Sequence, residues 1–122
     1  MTSPGTSTAP DPDCLFCKIV AGEIPATLVA ETPDTVAFRD INPQAPTHVL
    51  VIPRAHYRDI AAMSVADPAL TGRLAADAAA VAEKEGLTGF RLVFNTGAEV
   101  GQSVFHVHGH VLGGRSLDWP PG

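Results

Sequence analysis

The stretch HVHGH, residues 106–110, places a histidine at every second position of an otherwise apolar segment. Successive side chains of a β-strand point to opposite faces of the sheet, so a strand would put His106, His108 and His110 on one face. Neighbouring imidazoles would then lie about 6.8 Å apart, twice the rise per residue of a strand. The pattern predicts a strand over residues 103–112, with room between the imidazoles for a phosphate or a metal ion. The alternative is a polar sheet face that carries histidines by chance.

Apolar runs elsewhere predict the rest of an α+β fold with a mainly antiparallel sheet. The runs that predict strands are TLVAE, TVAFRD, THVLVIP, FRLVFN and SVFHVHGHVL. Turn-forming residues 32–34 between the first two runs predict a hairpin. A short N-terminal helix is expected around CLFCKIV, ending at Gly22. Asp67 and Pro68 suit the start of one long helix, which we expect to reach about Gly86.

The length and charge of the chain limit the functions that it can have. With 122 residues it is long enough for one domain and too short for two. We expect a disordered tail over residues 1–12, which are rich in Ser, Thr and Pro, and a folded domain over residues 13–122. The net charge of −5 argues against a nucleic-acid partner. No apolar run could cross a bilayer and the N-terminus does not resemble a secretion signal, so we expect no membrane partner and a cytoplasmic location.

The histidines indicate covalent chemistry on phosphorus. A neutral imidazole is a competent nucleophile near neutral pH, because its ordinary pKa is about 6.5. Attack on phosphorus by one histidine, while another binds the phosphoryl oxygens, divides a difficult displacement into two easier steps. The preceding loop contains Gly97 and Gly101, which favour the approach of backbone N–H groups to a phosphate. The chain contains no P-loop, nucleophile-elbow or HExxH motif.

The segment GQSVFHVHGHVL resembles the signature of the histidine triad superfamily, in which three histidines alternate with apolar residues. LGGRSLDWPPG and DINPQAPTHVLVIPRAH resemble its nucleotide-binding branch, which includes adenosine phosphoramidases. The resemblance covers residues 13–122 and implies a histidine triad fold. In that fold, a five-stranded mainly antiparallel sheet with one long helix and a short N-terminal helix continues across a homodimer. Gly109 departs from the signature by replacing an apolar side chain, and we expect lost packing there rather than lost chemistry.

The resemblance also implies an activity, the hydrolysis of purine nucleoside 5′-phosphoramidates without a catalytic metal. His108 matches the nucleophile, His110 a phosphate contact, Ser103 a residue near the leaving group, and His48 a histidine that could orient the catalytic one. The residues that match substrate contacts are Asp40 at the ribose, Asn95, Gly101, Gln102, Ser103, His108 and His110 around the phosphate, and Phe16, Ile19, Phe38 and Ile41 around the base.

Each assignment has a structural alternative. The four apolar residues around the expected base site could be ordinary core, and Asp40 could cap the turn before Pro43. His48 could be a buried, hydrogen-bonded histidine without a catalytic role. For the whole protein, the alternatives are a nucleotide-binding regulatory or scaffold protein with incidental hydrolysis, and a dinucleoside polyphosphate hydrolase.

Cys14 and Cys17 form a CxxC motif in a chain without a secretion signal, so a stable disulfide is disfavoured. Metal binding, free packing cysteines and redox activity remain open. The resemblance implies that, in bacterial relatives, the CxxC cysteines form one site with two histidines, that of an IPxxH segment and the first of the triad. In this chain, these histidines are His56 and His106. These four residues could bind structural zinc, because a tetrahedral Cys₂His₂ set leaves no open coordination position.

Overall fold

The computed structural model describes residues 8–122, which form one antiparallel sheet of five strands with helices on both faces. The elements in chain order are α1 (Leu15–Val20), β1 (Leu28–Glu31), β2 (Thr35–Arg39), β3 (Thr47–Pro53), α2 (Ile60–Ala66), α3 (Pro68–Lys84), β4 (Phe90–Val93) and β5 (Gly109–Gly113). The strand order in the sheet is β1-β2-β3-β5-β4. The α+β fold predicted from the sequence is confirmed.

The central strand β3 carries six consecutive buried residues after Thr47 and separates two apolar layers. On one face, α3 packs Leu74, Ala78 and Val81 against Val49 and Val51 of β3. On the other face, α1 packs Phe16 and Cys17 against Phe38, Leu50 and Ile52. Alternate residues of β3 therefore belong to opposite layers, as the period of a strand requires.

Helix α3 begins where the sequence predicts. Asp67 accepts a hydrogen bond from the backbone N–H of Leu70 (3.0 Å), and Pro68 occupies the first turn. The helix ends at Lys84, just before Gly86, whose φ of 73° lies in the left-handed region that terminates helices. Helix α2, which no sequence pattern predicted, has seven residues; Asp59 caps it and Met63 anchors it in the core.

The predicted strand over residues 103–112 is wrong in extent, because only residues 109–113 pair in the sheet. The backbone N–H of Val107 donates to the carbonyl oxygen of Tyr57 (2.9 Å), in the connection that follows β3, instead of to a neighbouring strand. The chain thus approaches the sheet through irregular backbone, and His106 and His108 precede β5 while His110 lies in it.

The expectation of lost packing at Gly109 is also wrong. A Cβ built on Gly109 would lie 2.9 Å from Cδ1 of Leu92 and 2.9 Å from Cζ of Phe94. Carbon atoms at rest approach to about 3.5 to 4.0 Å, so these two side chains already fill the place of the missing one.

Residues 8–12, which the sequence analysis assigned to the tail, lie against the domain. The carbonyl oxygen of Thr8 accepts from the backbone N–H of His56 (3.0 Å), and that of Asp11 accepts from Cys14 (3.0 Å). The rest of the predicted tail, residues 1–7, lies outside the described residues. Within residues 8–122, no helix is long and apolar enough to cross a membrane.

Candidate active site and cysteine–histidine cluster

A cleft of about 310 Å³ opens on the α1 side of the sheet. All predicted substrate-binding residues except Gln102 line it. The lining residues are Leu15, Phe16, Ile19, Phe38, Arg39, Asp40, Ile41, Leu50, Asn95, Gly101, Ser103, Val104, His108 and His110. Four of these residues were not predicted from the sequence, namely Leu15, Arg39, Leu50 and Val104. Leu50 alternates with core residues in its strand, as Phe38 does. This alternation could have placed Leu50 on the same face as Phe38, but it could not have shown that this face lines a cleft.

The sequence left open whether the apolar residues of this cleft are core residues or cleft walls, and Phe16 and Phe38 are both. Phe16 is 5% exposed and Phe38 is 4% exposed, and their rings pack edge to face with centroids 5.5 Å apart. They are therefore core residues that also form a cleft wall. Ile41 is fully exposed at the cleft edge, so it has no packing role within this chain.

His108 lies in the cleft with its tautomer fixed by the backbone. Its Nδ1 is 2.8 Å from the carbonyl oxygen of His106, and a carbonyl oxygen can only accept, so Nδ1 carries the proton. Burial lowers the pKa of His108, with a smaller opposing effect of this hydrogen bond, which favours the neutral ring. A neutral imidazole with Nδ1 protonated has its lone pair on Nε2, the nitrogen that is free to attack an electrophile.

A short chain of hydrogen bonds determines the tautomer of His110. The backbone N–H of Gln44 donates to Nδ1 of His48 (3.0 Å), so a neutral His48 carries its proton on Nε2. Nε2 of His48 lies 2.9 Å from Nδ1 of His110 and donates to it, which leaves the proton of His110 on Nε2. That Nε2 atom is buried and has no hydrogen-bond partner within residues 8–122. The arrangement presents a donor that a ligand oxygen could satisfy.

Burial keeps these two rings neutral. It lowers the pKa of His48, against the opposing effect of the Asp40 carboxylate, whose Oδ2 is 3.4 Å from Nε2 of His48. It lowers the pKa of His110 to about 4, assisted by repulsion from His108 and His48. Asp40 also accepts from the backbone N–H of Asn42 (2.8 Å), so it caps the turn as well as lining the cleft.

The loop before the triad turns at two glycines, Gly97 and Gly101, with φ near 100°. Gln102 holds this loop closed and does not line the cleft. Its Oε1 accepts from the N–H of Gly97 (2.8 Å), its Nε2 donates to the carbonyl of Arg58 (2.9 Å), and its own N–H donates to the carbonyl of Gly97 (3.1 Å). A direct contact of Gln102 with a phosphate is therefore not supported by this geometry, whereas Gly101 remains in the cleft wall.

The three triad histidines divide between two sites. The rings of His108 and His110 have centroids 5.0 Å apart, closer than the spacing along a regular strand predicts, because the backbone before Gly109 is irregular. His106 is fully buried and turns towards the cysteines. Phe16 contacts both neighbourhoods, with its ring 6.1 Å from that of His106 and 5.0 Å from that of His108.

Cys14, Cys17, His56 and His106 come together as the resemblance implied. Their donor atoms lie within 4.8 Å of one another. The Nδ1 atoms of His56 and His106 are 3.2 Å apart, and Nδ1 of His106 is 3.5 Å from each sulfur. A tetrahedral zinc site with ordinary bond lengths requires about 3.3 Å between nitrogens and about 3.5 Å between nitrogen and sulfur. The four side chains are thus compatible with a tetrahedral metal site.

The surroundings of His106 also suit a metal ligand. Its Nε2 is 2.8 Å from the carbonyl oxygen of Pro53 and must donate, so Nδ1 keeps its lone pair facing the cysteines. Burial lowers the pKa of His106 to about 4, which keeps the ring neutral as a ligand must be.

A second group of candidate ligands, Asp40, His48 and His110, does not suit a metal. The Gln44 N–H that donates to Nδ1 of His48 requires the proton on Nε2, which is the atom that would have to bind the ion. This hydrogen bond therefore begins a relay of hydrogen bonds from Gln44 through His48 to His110. Of the two groups, the cysteine–histidine cluster is the one that suits a metal.

Comparison with known proteins identifies the family of this chain. A sequence model of the HIT domain matches residues 21–117. The crystal structure of a HIT family hydrolase from Legionella pneumophila superposes with a TM-score of 0.86 at 51% identity, covering 90% of this chain and 100% of that one. Adenylylsulfatase HINT1 of Arabidopsis thaliana is 46% identical over 121 residues, 95% of this chain and 81% of the relative. A 14 kDa zinc-binding protein of Zea mays is 46% identical over 115 residues, 92% of this chain and 90% of the relative.

The family match spans most of the folded part, and the fold that the triad signature led us to expect is confirmed. The chain belongs to the HIT domain family.

Proposed function

We propose that the protein hydrolyses purine nucleoside 5′-phosphoramidates through a nucleotidyl-histidine intermediate on His108. The observation that carries the proposal is the pairing of two fixed tautomers in one cleft. His108 keeps a lone pair on Nε2, and His110 offers an unpartnered, buried Nε2–H beside it. The known hydrolase in the family and the adenylylsulfatase name of the plant relative support nucleotide hydrolysis as the reaction class.

In the first step, the Nε2 lone pair of His108 attacks the α-phosphorus and the bond from phosphorus to the amine nitrogen breaks. The amine leaves with the bonding pair and takes a proton, for which Ser103 at the cleft wall is the proposed donor. The phosphorylated imidazole carries a positive charge, and its Nδ1–H donates to the His106 carbonyl oxygen, which stabilises that charge. The Nε2–H of His110 donates to a phosphoryl oxygen as its charge grows.

In the second step, water attacks the same phosphorus, the bond from phosphorus to Nε2 breaks, and the proton that the water loses returns to the oxygen of Ser103. The products are the nucleoside monophosphate and a neutral His108, whose tautomer is restored because Nδ1 has remained hydrogen-bonded throughout. No catalytic metal is needed, since the imidazoles and the backbone of the Gly101 loop supply the donors to the phosphate.

The walls of the cleft support a nucleoside as the substrate. Phe16, Ile19 and Phe38 offer apolar surface to a planar base, and Asp40 offers carboxylate oxygens to the two ribose hydroxyls. With a net charge of −5, the protein does not attract anions by its overall charge, so the local donors must hold the phosphate.

The plant adenylylsulfatase motivates a second substrate class, adenylyl sulfates. Sulfate leaves without taking up a proton, and the same attack by His108 would apply. Dinucleoside polyphosphate hydrolysis and a scaffold role with incidental turnover are the remaining alternatives, and each makes the phosphoramidate a poor substrate.

The test compares adenosine 5′-phosphoramidate, adenylyl sulfate and a dinucleoside polyphosphate as substrates of the wild type and of His108→Ala. We expect the phosphoramidate to have the highest kcat/KM and the variant to lose turnover of every substrate. Intact mass after a rapid quench should show one added nucleoside monophosphate on the wild type and none on the variant. Undiminished turnover by His108→Ala would refute the assignment of the nucleophile.

We further propose that Cys14, Cys17, His56 and His106 bind structural zinc, which supplies a cross-link between the N-terminal segment and the triad. The tetrahedral spacing of the donor atoms and the zinc-binding relative from maize support this assignment. Elemental analysis should find about one zinc per chain in the wild type and in His108→Ala, and almost none in Cys17→Ser. Equal zinc in all three proteins would contradict the ligand set.

We also propose a cytoplasmic homodimer, with β4 and α3 at the interface. β4 lies at the edge of the sheet and leaves Phe90 41% exposed, which supports strand pairing with a second copy. Sedimentation analysis should give twice the chain mass for the wild type, and Phe90→Asp should shift the protein towards the monomer. A monomeric wild type would contradict the proposal.

A further inference from the structure

The ring of Phe94 lies directly behind the backbone that carries the cleft histidines. Gly109 is buried, and a Cβ on it would meet Cζ of Phe94 at 2.9 Å, Cε1 of Phe94 at 3.0 Å and Cδ1 of Leu92 at 2.9 Å. These separations are shorter than carbon atoms tolerate, so the ring occupies the space of a side chain at position 109. Gly109 is required here because of this close approach.

The two residues of this contact are covalent neighbours of cleft residues. Gly109 stands between His108 and His110, and Phe94 immediately precedes Asn95, which lines the cleft. β4 and β5 also pair Val93 with His110, so the Phe94 ring packs where the two strands are in register. A displacement of either residue therefore acts directly on the backbone of a neighbouring cleft residue.

We propose that Phe94 and Gly109 form a size-matched positioning pair, which holds His108 and His110 in place from the face of the sheet opposite to the cleft. The pair compensates for the departure of Gly109 from the triad signature, because the volume missing at position 109 is present at position 94. Its effect on turnover rests on the proposed function, whereas its effect on the positions of the two imidazoles does not.

Gly113 provides a matched control in the same strand. Residues 109 and 113 lie on the same face of β5, and a Cβ on Gly113 would meet Cδ1 of Leu87 at 2.7 Å. Gly113→Ala therefore introduces the same methyl group into a similarly crowded place, where it meets Leu87 and Gly89, residues that do not line the cleft. If overpacking of the core were the sole effect of the added methyl group, Gly109→Ala and Gly113→Ala would perturb the histidines alike.

The experiment compares Gly109→Ala, Gly113→Ala, Phe94→Leu and the double variant Gly109→Ala/Phe94→Leu with the wild type. Nitrogen-15 imidazole spectra report the tautomer and surroundings of His108 and His110, and steady-state kinetics with adenosine 5′-phosphoramidate report kcat. We expect Gly109→Ala and Phe94→Leu each to shift or broaden the His108 and His110 resonances and to lower kcat about tenfold or more, since misplacement by about 1 Å can cost about a hundredfold. The double variant should recover most of both signals, because leucine lacks the ring atoms that the new methyl group meets, and the remaining contact, Cδ1 of Leu92, is the end of a flexible side chain that can shift. Gly113→Ala should leave both signals at their wild-type values although it lowers stability.

The proposal is overturned if folded Gly109→Ala keeps wild-type resonances, if Gly113→Ala perturbs the histidines equally, or if the double variant is no better than the single ones. If Gly109→Ala does not fold, Phe94→Leu is compared with the double variant. The proposal requires the methyl group added at position 109 to restore the histidine resonances and kcat that Phe94→Leu loses, and no improvement overturns it. If the wild type does not hydrolyse the phosphoramidate, the proposed function fails, and the spectra still decide whether the pair positions the histidines.

Discussion

Lowering the pH should destabilise the protein through His110 by an amount that can be worked out from its burial. The ring is held neutral among His48, His108 and the sheet, and its pKa falls from the ordinary 6.5 to about 4. The folded protein therefore binds this proton less readily than the unfolded chain does. The contribution of a neutral His110 to stability is complete above pH 6.5 and decreases as the pH falls towards 4.

The expected loss is about 1 kcal/mol at about pH 6, about 2 kcal/mol at about pH 5, and about 3 kcal/mol in the acid limit. The assay is urea unfolding of the wild type and of His110→Gln at a series of pH values, with the same metal content in both. Glutamine can still accept from His48 but does not titrate, so the difference in unfolding free energy between the two proteins isolates His110.

We expect this difference to be constant above about pH 7 and to shift against the wild type by about 2 kcal/mol at about pH 5. A difference that stays flat across this interval would mean that His110 is not a buried neutral imidazole. The hydrogen-bond relay from Gln44 through His48 would then be the wrong description of the cleft.

Three further substitutions test separate parts of the description. Ser103→Ala should lower kcat for a phosphoramidate by about a hundredfold and leave adenylyl sulfate turnover nearly unchanged, because only the amine needs a proton to leave; equal losses would argue against proton donation by Ser103. Asp40→Asn should raise KM for a ribonucleotide at least several-fold more than for its 2′,3′-dideoxy counterpart, and parallel changes in KM would remove Asp40 from ribose binding. Asp67→Ala should reduce the unfolding free energy by about 1 kcal/mol without changing kcat, since it removes the acceptor for the N–H of Leu70, and unfolding at an unchanged urea concentration would show that the cap contributes nothing.

Local signals in the sequence predicted most of the fold. The apolar run in THVLVIP, the turn at residues 32–34 and the Asp67-Pro68 start each depend on neighbours within a few residues, and each appears where expected. Helix α2 was missed because its seven residues contain a single buried anchor, Met63, and show no period long enough to recognise. Strand alternation also overestimated β5, because a period of two does not reveal that the N–H of Val107 pairs with the distant carbonyl of Tyr57.

The candidate site was predictable in composition and not in its internal arrangement. The triad motif and its family resemblance named the residues that line the cleft and those of the cluster. Tautomers depend on backbone partners such as the Gln44 N–H and the His106 carbonyl, which no spacing in the sequence indicates. The position of Gln102 outside the cleft lining was not predictable for the same reason, since its hydrogen bonds to the Gly97 and Arg58 backbones appear only when the loop is folded.

The donor atoms of the cysteine–histidine cluster come from chain segments far apart, and Cys14 meets His106 across 92 positions of sequence. During synthesis, the two thiols leave the ribosome early, while His106 follows only after α3 and β4 have been made. A growing chain cannot complete the donor set until almost all of its residues are available. Zinc uptake would therefore mark the end of folding rather than its beginning, and a chain truncated before the triad would hold the ion weakly.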